Sequence, residues 1–180
     1  MRVGVPREIK PDEYRVGLTP AAVREYVAHG HEVSVETGAG DGAGYSDALY
    51  KRAGAKILST AEAVFAGAEL IIKVKEPQPP EWARLTDRHI LFTYLHLAPD
   101  PAQADGLLAS GCAAIAYETV TDAHGGLPLL RPMSEVAGRM AAQVGAQPFA
   151  LSLPRARGLL ALTVIRRALS QAEASLRSRS

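Results

Sequence analysis

The chain has 180 residues, 47% hydrophobic and 22% charged, with a formal net charge of +1. That composition suits a soluble globular protein with room for a real core, and the near-neutral balance gives no reason to expect a nucleic-acid partner. A single cysteine, Cys112, excludes an intrachain disulfide, and its setting in "CAAIAY" reads as that of a small buried hydrophobe.

The N-terminus "MRVGVPREIK" has no basic region followed by a signal-length apolar run, and reads instead as a first strand, "RVGVP" at 2–6. No uncharged apolar stretch has the length of a membrane span, so the expected location is the cytoplasm. A helix is expected over 20–30, started by Thr19-Pro20, then a strand "HEVSVE" at 31–36. The glycine-rich "TGAGDGAGYSD" precedes a helix over 46–54, started by Ser46. A strand at 55–58, a helix over 60–68 started by Thr60, and the apolar strand "ELIIKVK" at 69–75 follow. Next come a helix over 80–86, the strand "HILFTYL" at 89–95, a helix over 100–111 and the strand "CAAIAYE" at 112–118. Gly30, Gly54 and Gly111 fall where helix C-terminal caps belong. Strands and helices alternating at this spacing predict an α/β fold, a parallel sheet with helices on both faces. A longer helix is expected over 132–147, and apolar residues at 162, 165, 169, 172 and 176 predict an amphipathic helix over 159–178.

In such a sheet the binding crevice lies beyond the carboxyl ends of the strands. Three polar residues fall there: Arg15 in the loop after the first strand, Lys75 at the end of "ELIIKVK", and His96 after "ILFTYL". An arginine fork and a lysine can fix a small carboxylate, and a histidine can move a proton near neutral pH. The set suggests a pocket for a small organic acid. The stretch "GAGDGA" satisfies the loose dinucleotide pattern, but the acid expected at the end of the next strand is missing, so it reads as a turn. His29 and His31 read as solvated and His124 as a loop residue, with no spacing typical of a metal site.

The segment "GVPREIKPDEYRVGLTPAAVREYVAHGHEV" resembles the N-terminal signature of alanine dehydrogenases, which group with the nicotinamide nucleotide transhydrogenases. The resemblance continues through "ETGAGDGAGYSDALYKRAGA", "IIKVKEPQPPEW", "LFTYLHLAPD", "GCAAIAYETV" and "LPLLRPMSEVAGRMAAQVGA", to about residue 147. It implies a Rossmann-like or flavodoxin-like substrate domain over 1–131, the start of a connecting helix over 132–150, and an unrelated basic amphipathic tail over 151–180. It also implies NAD-dependent oxidative deamination of L-alanine to pyruvate and ammonia, and the reverse. By the same resemblance Arg15 and Lys75 hold the substrate carboxylate and carbonyl, and His96 is the catalytic acid/base. Tyr94 and Met133 line the substrate pocket, and Ser134 touches the NAD cofactor. A homo-oligomer, hexameric in full-length relatives, is implied too, with no metal, nucleic-acid or membrane partner.

Two departures stand out. The family usually has Asn-Glu where this chain has Pro11-Asp12, and Ala where it has Gly17. Its dinucleotide-binding domain has no counterpart here, so a truncated dehydrogenase with little hydride transfer of its own is expected. A non-catalytic keto-acid-binding or subunit-association module, and a relative of the transhydrogenase α-subunit, are the alternatives. Residues 151–180 carry six arginines and one acid, Glu173, for a net +5, against −4 for residues 1–150. Three readings stay open for this tail: non-native coding, a replacement helix covering a surface, or a segment that binds an anionic partner. A covering helix predicts that deleting 151–180 lowers the midpoint of thermal unfolding; an unchanged midpoint counts against it.

Overall fold

The computed structural model describes residues 1–152, with side chains through residue 145. The expected tail helix lies outside the described residues. The chain divides into a compact unit over Met1–Val120 and a second from Thr121 onward.

The first unit is a six-stranded parallel sheet in the order β3-β2-β1-β4-β5-β6. The strands are β1 (Arg2–Val5), β2 (Glu32–Glu36), β3 (Lys56–Leu58), β4 (Leu70–Ile72), β5 (Ile90–Thr93) and β6 (Ala113–Ala116). Between them run α1 (Pro20–Ala28), α2 (Asp47–Arg52), α3 (Ala61–Gly67), α4 (Pro79–Trp82) and α5 (Pro101–Ser110). The order turns back between β1 and β4, which makes their carboxyl ends the switch point of a Rossmann-type sheet.

Side-chain alternation explains the layering. Val3, Val5, Val33, Val35 and Ile72 face one side of the sheet, where they bury Val23 of α1 and Tyr50 of α2. Ile71 and Leu91 face the other, against Phe65 of α3 and Leu107 of α5. Each such apolar side chain contributes about 1.5–3 kcal/mol when fully buried, enough to fix which face of every strand meets which helices. Cys112 is half-buried and packs against the second cluster.

The helix starts follow their caps: Thr19, Thr60 and Asp100 side chains accept from Ala22, Ala63 and Gln103 N–H. Ser46 occupies the cap position of α2 but makes no side-chain capping bond. Gly30, Gly54 and Gly111 take positive φ at the helix ends.

Three strands, β4, β5 and β6, stop two or more residues short of their expected ends. β4 ends at Ile72 rather than 75 because the Val74 N–H goes to the Glu8 carboxylate at 2.7 Å. β6 ends at Ala116 because Tyr117–Thr119 turns into a 3₁₀ helix. β5 ends at Thr93, although Tyr94 N–H still reaches the Val74 carbonyl. The helix expected over 80–86 is only Pro79–Trp82, while Thr86 N–H donates to Nδ1 of the buried His89. That leaves Nε2 of His89 to donate to the Phe65 carbonyl at 2.9 Å.

At the switch point Lys73, 1% exposed, sits between Glu8 at 3.1 Å and Glu81 at 2.9 Å. Glu81 also accepts from the Gln78 N–H, so one ammonium joins the loop after β1, the end of β4 and the start of α4. Burial holds the Glu8 carboxyl above its usual range, with Lys73 opposing the shift.

Replacing Lys73 by Met leaves two buried carboxylates without their cation. The expected loss is about 3–5 kcal/mol of unfolding free energy in urea, and Lys73→Met with Glu8→Gln and Glu81→Gln should recover part of it. A single variant as stable as the wild type would show that the cluster does not hold this edge.

Candidate functional site

Arg15, Lys75 and His96 follow β1, β4 and β5, three strands that are adjacent in the sheet. All three therefore sit at one carboxyl edge. The loop after β1 is tied down by the Arg7 N–H to Glu36, by Glu8 on Lys73 and Val74, and by Lys10 paired with Glu76. It delivers Arg15, whose Nε and Nη2 donate to both oxygens of Glu13 at 2.8 and 2.5 Å. The hydrogen bond with Glu13 raises the Arg15 pKa and lowers that of Glu13, and the Lys75 ammonium lowers Glu13 further. Arg15 is thus a cation held in a fork, and Lys75 acts on the same carboxylate.

Lys75 is half-buried, and its carbonyl accepts from the Thr93 hydroxyl at 2.8 Å. Tyr94 is buried, which raises its phenol pKa; Arg15 lowers it and Glu118 raises it. The Tyr94 ring lies nearly parallel to the exposed His96 imidazole, with 5.8 Å between centroids and 9° between planes. Tyr117 meets Tyr94 edge-on at 5.0 Å and Phe92 at 4.3 Å. His96 takes φ 47°, and Glu118 accepts its backbone N–H at 2.7 Å. Arg15, Lys75 and Tyr94 therefore share one electrostatic neighbourhood, with His96 stacked at its edge. Two acids in it, Glu13 and Glu118, were not singled out from the sequence. Their signals were an acid two places before Arg15 in "DEYRV" and one just after the last strand in "AYETV".

A cavity of about 430 Å³ opens between the loops after β1 and β2, lined by Glu8, Glu13, Tyr14, Arg15, Gly38 and Gly42 among others. Lys75, Tyr94 and His96 are not in its wall. Met133 and Ser134 belong to the second unit, in the first turn of α6 (Arg131–Ser152), and both are exposed. In that unit His124 lies in a turn closed by Asp122, which accepts from the His124 and Gly126 N–H groups. His29 is exposed, but His31 packs against Tyr26 and its Nδ1 is buried, so the solvated reading of His31 is corrected.

The glycine-rich stretch is a turn by construction. It follows β2, not β1, so it misses the switch point. Asp47 fills the place an anionic ligand would need: its carboxylate accepts from the Thr37 hydroxyl at 2.6 Å and the Gly38 N–H at 2.9 Å. Gly42 serves close packing, since a Cβ there would stand 2.7 Å from the Tyr14 carbonyl oxygen. Gly17 does the same on the other side of Arg15: a Cβ there would stand 2.5 Å from the Ile72 carbonyl oxygen. The loop after β1, "PREIKP", has no glycine fingerprint either. A dinucleotide pyrophosphate does not fit the described residues of the first unit.

The model of the family described as alanine dehydrogenase/PNT, N-terminal domain, matches residues 4–137. The chain belongs to this family. The alanine dehydrogenase of Mycolicibacterium smegmatis is 58% identical over 146 residues, which are 81% of this chain and 39% of that protein. That of Halomonas elongata is 54% identical over 158 residues, 88% of this chain and 42% of the relative. A solved L-alanine dehydrogenase superposes with a TM-score of 0.77 at 48% identity, covering 82% of this chain and 40% of the other. A transhydrogenase from Sinorhizobium meliloti superposes less closely, with a TM-score of 0.65 at 25% identity, over 82% of this chain and 42% of that one. The chain thus spans about two fifths of the length of the curated relatives it matches. Among the described residues no helix is long and apolar enough to cross a membrane, and no three His, Cys, Asp or Glu side chains group to hold a metal ion.

The Asp47 turn makes a pH prediction. The Thr37 hydroxyl first, then the Gly38 N–H, lower the Asp47 pKa below its ordinary 3.8. The stability this contributes is present above the unfolded-state value and is lost as pH falls through the lowered one. Asp47→Asn should therefore be less stable than the wild type near neutral pH, with the gap closing in acid. Parallel stability curves for the two proteins would exclude the turn as a stabilising contact.

Proposed function

We propose that this chain forms the substrate-binding part of an NAD-dependent alanine dehydrogenase, which interconverts L-alanine with pyruvate and ammonia. The observation that carries the reading is the convergence of Arg15, Lys75 and His96 beyond β1, β4 and β5, in a chain whose relatives are alanine dehydrogenases. Arg15 and Lys75 hold the substrate carboxylate and carbonyl by charge-assisted hydrogen bonds. His96 moves the proton that accompanies addition and loss of water and ammonia at the carbonyl carbon. Tyr94, stacked on His96, is a further substrate contact, and the family resemblance assigns Met133 a substrate role and Ser134 a contact with the nicotinamide cofactor. NAD takes up the hydride in the complete reaction. Its pyrophosphate fits no described loop of the first unit, so this chain's contribution is binding, orientation and proton transfer. The closer likeness to the dehydrogenase than to the transhydrogenase supports this branch of the family. A cytoplasmic homo-oligomer, hexameric as in full-length relatives, completes the proposal.

Calorimetric titration with pyruvate tests the pocket. The wild-type chain should bind, and Arg15→Ala should weaken binding about 10- to 100-fold, the range expected for loss of a charged hydrogen-bonding partner. Equal binding by the two proteins, or none by the wild type, would remove the assignment. The 180-residue chain alone should produce no NADH from L-alanine, and measurable turnover would refute the division of labour.

A further inference from the structure

We propose that Glu118 is the positioning residue for His96, setting both the backbone and the ring of the proton-transfer group; this rests on the reading of His96 given above. His96 has φ 47°, a left-handed conformation that is uncommon outside glycine and must be held by its surroundings. The surroundings that hold it lie just past the next strand. Glu118 lies in the 3₁₀ turn after β6, and its Oε1 accepts from the Leu95 N–H at 3.0 Å and from the His96 N–H at 2.7 Å. Its Oε2 takes a second, longer bond from Leu95 at 3.3 Å. Two successive backbone N–H groups converging on one anion form a concave nest. Here the anion is part of the protein, so the nest is filled from within.

The same turn reaches the imidazole by another route. Tyr117 packs edge-on against Tyr94, and Tyr94 stacks on His96. Glu118 therefore fixes where the His96 backbone goes, and its neighbour fixes the ring that His96 leans on. Glu118 spends its carboxylate on backbone N–H groups, and none of its hydrogen bonds goes to the imidazole. Its effect on His96 is one of placement. His96 is exposed, so water can replace the bond that its N–H loses in a variant.

The test is nuclear magnetic resonance on the full 180-residue chain, comparing wild type, Glu118→Ala and Glu118→Gln. In Glu118→Ala, amide exchange at His96 should rise about tenfold or more, as expected for losing a charge-assisted acceptor. The His96 ring resonances should move as the Tyr94 stack loosens, while those of His29, His31, His89 and His124 stay in place. Glu118→Gln keeps one acceptor oxygen and should restore part of both signals. Unchanged His96 signals in both variants overturn the proposal, as do shifts of all five histidines together in both, which would mark Glu118 as general support. Titration with pyruvate separates the two readings. If pyruvate leaves wild-type His96 unmoved while the Glu118 variants still displace it, the functional reading falls and the coupling stands.

Discussion

The carboxyl edge of the sheet hangs on one buried cation. Lys73 projects from the end of β4 into a space closed by Glu8 from the first loop and Glu81 from α4. Such a cluster contributes little net stability compared with apolar packing, because desolvating three charges is costly. What it supplies is placement. With Glu8 also holding the Val74 N–H, the first loop has one seat on β4, and that seat decides where Arg15 stands relative to Lys75. The first loop thus rests on a contact buried inside the protein.

Much of this fold could be read from the sequence because its parallel strands are short, apolar and bounded by capping residues. Expected and observed elements agree in type and order from β1 to β6. Most of the errors fall at element ends, and those of β4 and β5 have a common cause. A periodicity argument extends a strand while apolar residues continue, whereas the ladder stops when a side chain from elsewhere takes a backbone N–H. Glu8 does this at Val74 and Glu118 at Leu95 and His96. Such acids are remote in sequence, 66 and 23 residues from their partners at Val74 and Leu95, so no local window contains them.

The candidate site divides the same way. Arg15, Lys75 and His96 could be picked out because strand ends in a parallel sheet are where ligands meet it. Glu13 and Glu118 were missed because carboxylates that serve cations or backbone look like ordinary surface acids in a sequence. Lys73 could have been found: a lysine two places before Lys75, within an apolar strand covered on both faces, must have a buried counterion. The glycine stretch gives the reverse lesson. Its spacing imitates a phosphate loop, but strand order puts it beside β2, and Asp47 uses the Gly38 N–H.

Gly17 sets how closely the first loop can sit on β4. Its α-carbon lies so near the Ile72 carbonyl that a methyl group could enter only by lifting the loop away from β4. Arg15, two residues earlier on that loop, would rise with it; Lys75, three residues past Ile72 on the strand side, would stay. The gap between the two cations is thus set in part by a position that meets only Ile72, at its carbonyl and its Cγ2.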